Sequence, residues 1–377
     1  MIWRNRDRVV ALLTLLPTLL LIAFFVYGFI GHTFVTSLTE SAGRGTLAEN
    51  PMREFVGGKH YVELFSGILP TRFRQDLVNT FFYMVFVTLG ALFLGLVFAI
   101  LLDREPKGTN FFQTILLMPM AVSFVVTGTI WRWLLTDHGI NAIPTLFGLA
   151  RAEFGWVSSK GQILQFNWQD MPRIIAIILV VILTIFTVRA WKKGLRRKSI
   201  FIGIPALLLF IWAVLGASVL PFPRLLDFEE IHGFNLASLG IILAILWQYS
   251  GYPMAIYLAG LHGISSDVYE AARLDGCNLF QYYTRIAIPL LRPLTLSAMI
   301  ILAHVSLKMF ALIFALAGPD NARTGHLSLL MFLKSFRANA FGRGAAIAIV
   351  LFVLVSLLVV PYLISSYRQQ AGIGSEA

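Results

Sequence analysis

Long apolar runs separated by short polar stretches dominate the chain. Eight runs are long enough to cross a bilayer: 9–30, 77–102, 112–135, 173–190, 200–220, 237–261, 290–316 and 344–365. A hydrocarbon core of about 30 Å needs about 20 residues at 1.5 Å each, so each run predicts one spanning helix. None shows the two-residue alternation of a barrel strand. The pattern therefore predicts an all-α polytopic membrane protein with about eight transmembrane helices. An even number of spans puts both termini on one side. The stretches 31–76 and 136–172 fall on the other side as external loops, and neither reaches the roughly 50–200 residues of an ordinary catalytic domain. Spans 4 and 5 form a hairpin, 173–220, that looks detachable from the rest.

Composition agrees with this reading. The 377 residues are 58% hydrophobic and 13% charged, against about 25% charged in soluble domains; such a chain cannot solvate its own surface in water. The net charge of +11 could suggest nucleic acid, but the basic residues cluster at the ends of apolar runs, where membrane proteins place them. No nucleic-acid partner is expected. The single Cys277 excludes an internal disulfide and any multi-cysteine metal site. Arg4, Arg6 and Arg8 precede the run Val9–Ile30 as in a signal peptide. That run is long for a signal, and no small-residue cleavage pattern follows, so it reads as a retained first span.

Basic residues also set the orientation. The short loop between spans 4 and 5 carries Arg189, Lys192, Lys193, Arg196, Arg197 and Lys198, and short loops obey the positive-inside rule best. Both termini and the stretches 103–111, 189–199 and 262–292 are then cytoplasmic.

The longest cytoplasmic stretch between spans has internal structure. Ser265 or Ser266 is placed to cap a short helix whose first turn holds Asp267 and Glu270. Gly276 would end it in a left-handed turn, and Pro289 would open the next span. The residues leave two readings open: an ordinary structured loop, or a rigid lever through which a partner moves two spans as one body.

The spacing of Glu270, Ala271, Ala272, Gly276, Ile286, Ile288 and Pro289 resembles the EAA signature of binding-protein-dependent ABC permeases. Ser265 stands where that pattern has Pro, and Cys277 where it has Ala. Asn79-Thr80, Arg104 to Gly108, Leu117-Met118-Pro119, Ile130 to Trp133 and Gly342 to Ala346 resemble the carbohydrate-importer branch. The text around His304 to Phe310 and Gly342 to Ile349 is closest to glucose and α-glucoside permeases. The resemblance implies a type I (MetI-like) core of six helices. The hairpin 173–220 is then an insertion between core spans 3 and 4, unlike the extra N-terminal spans of the larger maltose permease. It divides the chain into a first helix 1–30, external loop 31–76, core 77–172, hairpin 173–220 and core 237–367 with the EAA loop 262–289.

The resemblance further implies a multi-pass protein of the bacterial inner membrane that carries a sugar, not an enzyme and without a cofactor of its own. Its partners would be a second homologous permease, an ATPase dimer that binds ATP and Mg, an extracytoplasmic binding protein and the surrounding lipid. Asp267, Tyr269, Glu270, Ala271, Ala272, Asp275 and Gly276 would contact the ATPase. The absence of a G-x-x-x-x-G-K-[ST] run agrees with ATP being held elsewhere.

Polar residues at membrane depth are candidates for the substrate path. Span 7 carries His304 and Lys308, four apart and so on one helical face, followed by Phe310. Span 6 carries Trp247, Gln248, Tyr249 and Tyr252 beside Gly251 and Pro253, where a kink is expected. Rings that stack on sugar C–H faces and amides that bond hydroxyls suit a saccharide. The plainer readings are a satisfied packing histidine, a structural or snorkelling lysine, and a kinked packing helix. Asn321 and Arg323 fall in an external loop where a binding protein would dock. An ion-driven secondary transporter is the alternative, but the predicted spans contain essentially no Asp or Glu. An intramembrane enzyme would need clustered histidines, whereas His32, His60, His138, His232, His262 and His326 are scattered.

Overall fold

The computed structural model describes residues 2–40, 54–67, 71–104, 108–136, 138–192, 194–215 and 226–373. Lys107, Lys193 and residues 216–220 of the fifth run lie outside these described residues. Among the described residues, four helices are long and apolar enough to cross a membrane: Leu13–Ser37, Thr71–Leu102, Trp168–Lys192 and Phe341–Pro361. Three bent pairs pass the same test: Thr109–Ala121 with Phe124–Leu134 at 104°, Leu236–Tyr249 with Gly251–His262 at 41°, and Leu279–Leu290 with Arg292–Ser306 at 69°. Counting each pair as one span gives seven. The remaining run, 200–220, is helix Arg196–Leu215 as far as the described residues extend.

The predicted single span 290–316 is divided. Helix Arg292–Ser306 stops, residues 307–309 form a turn, and a second helix runs from Phe310 to Ala317. The bend before it falls at Leu291, and Pro293, not Pro289, occupies the first turn of the following helix. Pro289 lies near the end of the preceding helix, after the wide π turn Tyr282–Ala287. A proline ring crowds the backbone one turn earlier, and a widened turn relieves that crowding.

Helix Thr71–Leu102 is the axis of the core. Its 32 residues span about 48 Å, well beyond a hydrocarbon layer, and it begins before the predicted run at 77. The added turns carry Arg72, Arg74 and Asp76. Asp76 therefore lies outside the predicted run 77–102; it is fully buried, with its carboxylate 3.7 Å from Arg72 Nε.

Arg74 is fully buried and forks onto the Glu230 carboxylate, with Nε 2.8 Å from Oε1 and Nη2 on Oε2. Its Nη1 donates to the Gly67 carbonyl at 2.8 Å. His232 bonds Glu230 Oε1 at 2.7 Å through Nε2 and Gln75 Oε1 at 2.8 Å through Nδ1. The network continues from Gln75 to Asn79 at 2.9 Å and from Asn235 to Asn79 at 3.0 Å. Asn79 then donates to the carbonyls of Arg323 and Gly325 at 3.1 and 3.2 Å.

This network holds the base of the 173–220 hairpin. Strand Gln162–Asn167 pairs antiparallel with Ile231–Asn235, so the segments that lead into and out of the hairpin are zipped together. Helices Met171–Lys192 and Arg196–Leu215 then leave as a hairpin, tied by Ser199 Oγ to the Thr187 carbonyl at 3.2 Å. Only 6% of the most apolar window of the first arm is buried, against 39% for Thr71–Leu102. The hairpin is therefore an annex beside the core, its apolar side chains facing outward.

Removing one partner of a buried ion pair strands the other charge, at a cost of about 3–5 kcal/mol. Arg74→Ala should lower the detergent melting temperature more than Lys59→Ala, which breaks an exposed pair with Glu40.

Candidate functional site

The loop between Gly251–His262 and Arg292–Ser306 folds into two short helices. The first, Ser266–Leu274, places Asp267 in its first turn and Arg273 in its last, as the helix dipole favours. Ser265 occupies the capping position with extended backbone, but its side chain makes no capping bond, contrary to expectation. The C-terminus is closed by the backbone. Cys277 N–H donates to the Ala272 carbonyl at 2.9 Å and Gly276 N–H to that of Arg273 at 3.0 Å, with Gly276 at φ 77°. This pairing is a Schellman closure, which requires the left-handed conformation that glycine adopts without strain.

The return helix Leu279–Leu290 starts with a capping box that was not foreseen. Asn278 Oδ1 accepts from Gln281 N at 2.9 Å, and Gln281 Oε1 accepts from Asn278 N at 3.0 Å. Tyr269 packs edge-on against Tyr282 at 5.0 Å, with Arg273 over the Tyr269 ring at 6.0 Å. The two short helices are thus joined by a turn, a cap and an aromatic contact.

Asp267, Glu270, Ala271, Asp275 and Gly276 are exposed on this element, and Tyr269 is half-buried. Ala272 is a correction: it is buried against the protein's own core with Leu261 and Ala287, so it is not available to a partner. Two apolar side chains that sequence reasoning did not single out stand in the open, Leu274 at 90% and Phe280 at 77% exposure. They flank the exposed acidic positions and complete a mixed apolar and anionic face. Leu274 directly precedes the Asp275-Gly276 corner, which was the available signal.

The pathway candidates divide into two groups. Around Trp247 to Tyr252, two interrupted helices meet. The first break, Met118–Ser123, leaves Val122 extended, and Gln248 Nε2 donates to its freed carbonyl at 2.6 Å. Tyr249 stacks on Phe124 at 5.8 Å, and Trp247 meets Trp131 edge-on at 6.1 Å. Gly251 allows the approach, since a Cβ there would lie 2.1 Å from the Leu116 carbonyl oxygen. Pro253 lacks the N–H that would close the same turn, which accounts for the 41° bend. Gln248 is buried and its Oε1 has no hydrogen-bond partner, while Trp247 is 40% exposed and Tyr249 and Tyr252 are half-buried.

The second group is looser. His304 is on the last turn of its helix, but Lys308 is an exposed residue of the following turn, not a mid-span lysine on the same helix. The two remain within electrostatic reach of each other. Phe310 packs on Phe332 at 4.8 Å and Phe314 at 5.6 Å, in an aromatic cluster without polar partners. Among the described residues, no hydrogen bond or ring contact joins this group to the Trp247 group. Asn321 and Arg323 bind the carbonyls of Val157 and Ser158 at 2.7 and 3.1 Å, so their side chains tie down a neighbouring loop.

Comparison with known proteins identifies the family. Residues 198–369 match the model described as the binding-protein-dependent transport system inner membrane component. A probable ABC transporter permease protein of Pyrococcus horikoshii is 30% identical over 366 residues, covering 97% of this chain and 98% of that protein. The chain belongs to this family of ABC permeases. The xylose/arabinose import permease of Haloferax volcanii is 30% identical over 354 residues, with 93% and 85% of the two chains covered. The trehalose/maltose permease of Thermococcus litoralis is 24% identical over 370 residues, with 96% and 94% covered. The same fold occurs in a bacterial alginate ABC transporter solved with an alginate-bound periplasmic protein, at TM-score 0.61, 18% identity and coverage of 95% and 94%. An ABC permease is a multi-pass transport subunit, which agrees with the helices described above.

Within this permease, the contact at Gly251 is intolerant of bulk. Gly251→Ala should separate the two interrupted helices and destabilise the protein by about 1–3 kcal/mol, as overpacking does. A melting curve in detergent and accessibility of a cysteine placed at Val122 measure the two effects.

Proposed function

We propose that this permease imports a sugar across the bacterial inner membrane, driven by separate ATPase subunits that dock on the Ser266–Leu274 helix. The observation that carries the coupling reading is the exposed face of that element. Leu274 and Phe280 offer apolar anchors, and Asp267, Glu270 and Asp275 offer charge around them. A solvent-facing leucine and phenylalanine on a rigid two-helix element fit a partner groove. The EAA spacing falls on this same element.

The partners are a second homologous permease, two ATPase copies and an extracytoplasmic binding protein, with both termini and the loop 262–289 in the cytoplasm. ATP-driven closure of the ATPases would draw the two coupling helices together. The Schellman turn and the Tyr269–Tyr282 contact make the loop helix and the return helix move as one. The 69° bend at Leu291 then converts that movement into tilt of Arg292–Ser306.

A saccharide is supported by the sugar permeases among the relatives and by the aromatic and amide groups at the paired helix breaks. Trp247, Tyr249 and Tyr252 offer ring faces, and the unpartnered Gln248 Oε1 offers an acceptor for a hydroxyl. Glucose or an α-glucoside is the substrate to test first, followed by pentoses and trehalose, with the cognate binding protein titrated against each.

Glu270→Lys reverses the charge of the docking face without altering a buried group. In the assembled importer it should abolish uptake and release the ATPase on purification, while the permease still inserts into the membrane. Gly276→Pro, which cannot adopt a positive φ, should do the same. Wild-type uptake with the ATPase retained in both variants would overturn the assignment.

A further inference from the structure

We infer that Asp103 is a positioning residue that locks both ends of the loop 262–289 onto helix Thr71–Leu102. Asp103 extends that helix by one residue, its N–H bonded to the Ala99 carbonyl at 2.8 Å. Its Oδ2 accepts from the Tyr283 hydroxyl at 2.7 Å, and its Oδ1 lies 3.8 Å from His262 Nε2. His262 is the last residue of the helix that enters the loop, and Tyr283 belongs to the helix that leaves it. One carboxylate on a third helix therefore hydrogen-bonds the segment that leaves the docking element and lies beside the last residue of the one that enters it. The Arg104 guanidinium stands beside the same hydroxyl.

The contact continues to the docking surface itself. Tyr283 packs on Tyr282 at 5.4 Å, Tyr282 on Tyr269 at 5.0 Å, and Arg273 covers Tyr269. Tyr282 and Tyr283 are successive residues yet both are buried, and both lie in the wide π turn Tyr282–Ala287. A widened turn displaces side chains from the regular helical rotation and recurs at functional positions.

Apolar packing already gathers these segments: Leu102, Leu258, Leu261, Ala287 and Leu291 share one buried cluster. Such contact is non-directional, whereas a hydrogen bond to a carboxylate fixes angle and register. The carboxylate therefore specifies the angle of an assembly that the apolar cluster holds together. Displacement of the loop helix is passed to Thr71–Leu102 through this bond. The inference rests on the coupling reading above.

The test uses the complete importer, with its partner permease, ATPases and binding protein, reconstituted in proteoliposomes. Asp103→Ala and Tyr283→Phe should each lower sugar transported per ATP hydrolysed at least fivefold, with permease abundance and ATPase retention unchanged. Combining them should be no worse than the stronger single change, because both remove one bond. Asp103→Asn keeps an acceptor oxygen and should restore most of the coupling ratio. Tyr283→Phe removes only a hydroxyl and keeps the test open if Asp103→Ala fails to assemble. An unchanged ratio in Tyr283→Phe, or an Asp103→Asn as damaging as Asp103→Ala, would overturn the inference. Glu270→Lys measured in parallel separates the failures: if it uncouples while Tyr283→Phe does not, only the role of Asp103 falls.

Discussion

A guanidinium buried beside a membrane must be paired, and in this protein the pairing of Arg74 with Glu230 organises one end of the core. Arg74 sits on Thr71–Leu102, whereas Glu230 arrives from the chain that returns after the insertion. Their bond draws the end of the insertion back to the helix it would otherwise leave. His232, Gln75, Asn79 and Asn235 then satisfy the remaining polar groups, which makes so large a buried polar network tolerable. The hairpin's base is closed by a strand pair and an ion pair, and its arms face outward.

The second constraint is that a helix interrupted at membrane depth frees backbone groups that need partners. The two interruptions here are placed against each other. Gln248 answers the Val122 carbonyl, and Gly251 admits the Leu116 backbone that a side chain would exclude. The aromatic residues around the breaks are thus held by a structural requirement, and the same requirement leaves one amide oxygen, Gln248 Oε1, without a partner in a wall of rings.

Much of this was legible from local pattern. The apolar runs located the spans, because length and absence of charge are properties of a single segment. The Gly276 corner was readable for the same reason, as its closure involves neighbours within the loop. What the sequence did not disclose depends on distant partners or on competition between local signals. The Arg74 network joins residues separated by more than 150 positions, so Arg74 and His232 looked like ordinary loop residues. Two prolines four residues apart, Pro289 and Pro293, both suited a helix start, and the π turn ahead of Pro289 decided between them. Lys308 read as a mid-span lysine because the run 290–316 is predominantly apolar, and the turn at 307–309 carries no glycine or proline to announce itself. Ala272 matched a surface signature, yet a helix lying on a core must turn one side inward, and a small residue is what allows the close approach.

Both sets of contacts fall on one helix. Thr71–Leu102 is fastened near one end by Arg74 and Asn79 and at the other by Asp103, with about 48 Å between its termini. The fastening at Asn79 grips the carbonyls of Arg323 and Gly325, which lie in the segment that also binds the 157–158 loop. The same helix therefore carries contacts to both the 321–325 segment and the loop 262–289. One of the interrupted helices also packs closely on it, since a Cβ at Gly95 would lie 2.6 Å from the Pro253 ring. One long element fastened near both ends, with an interrupted span packed along it, is the common support of both sets of contacts.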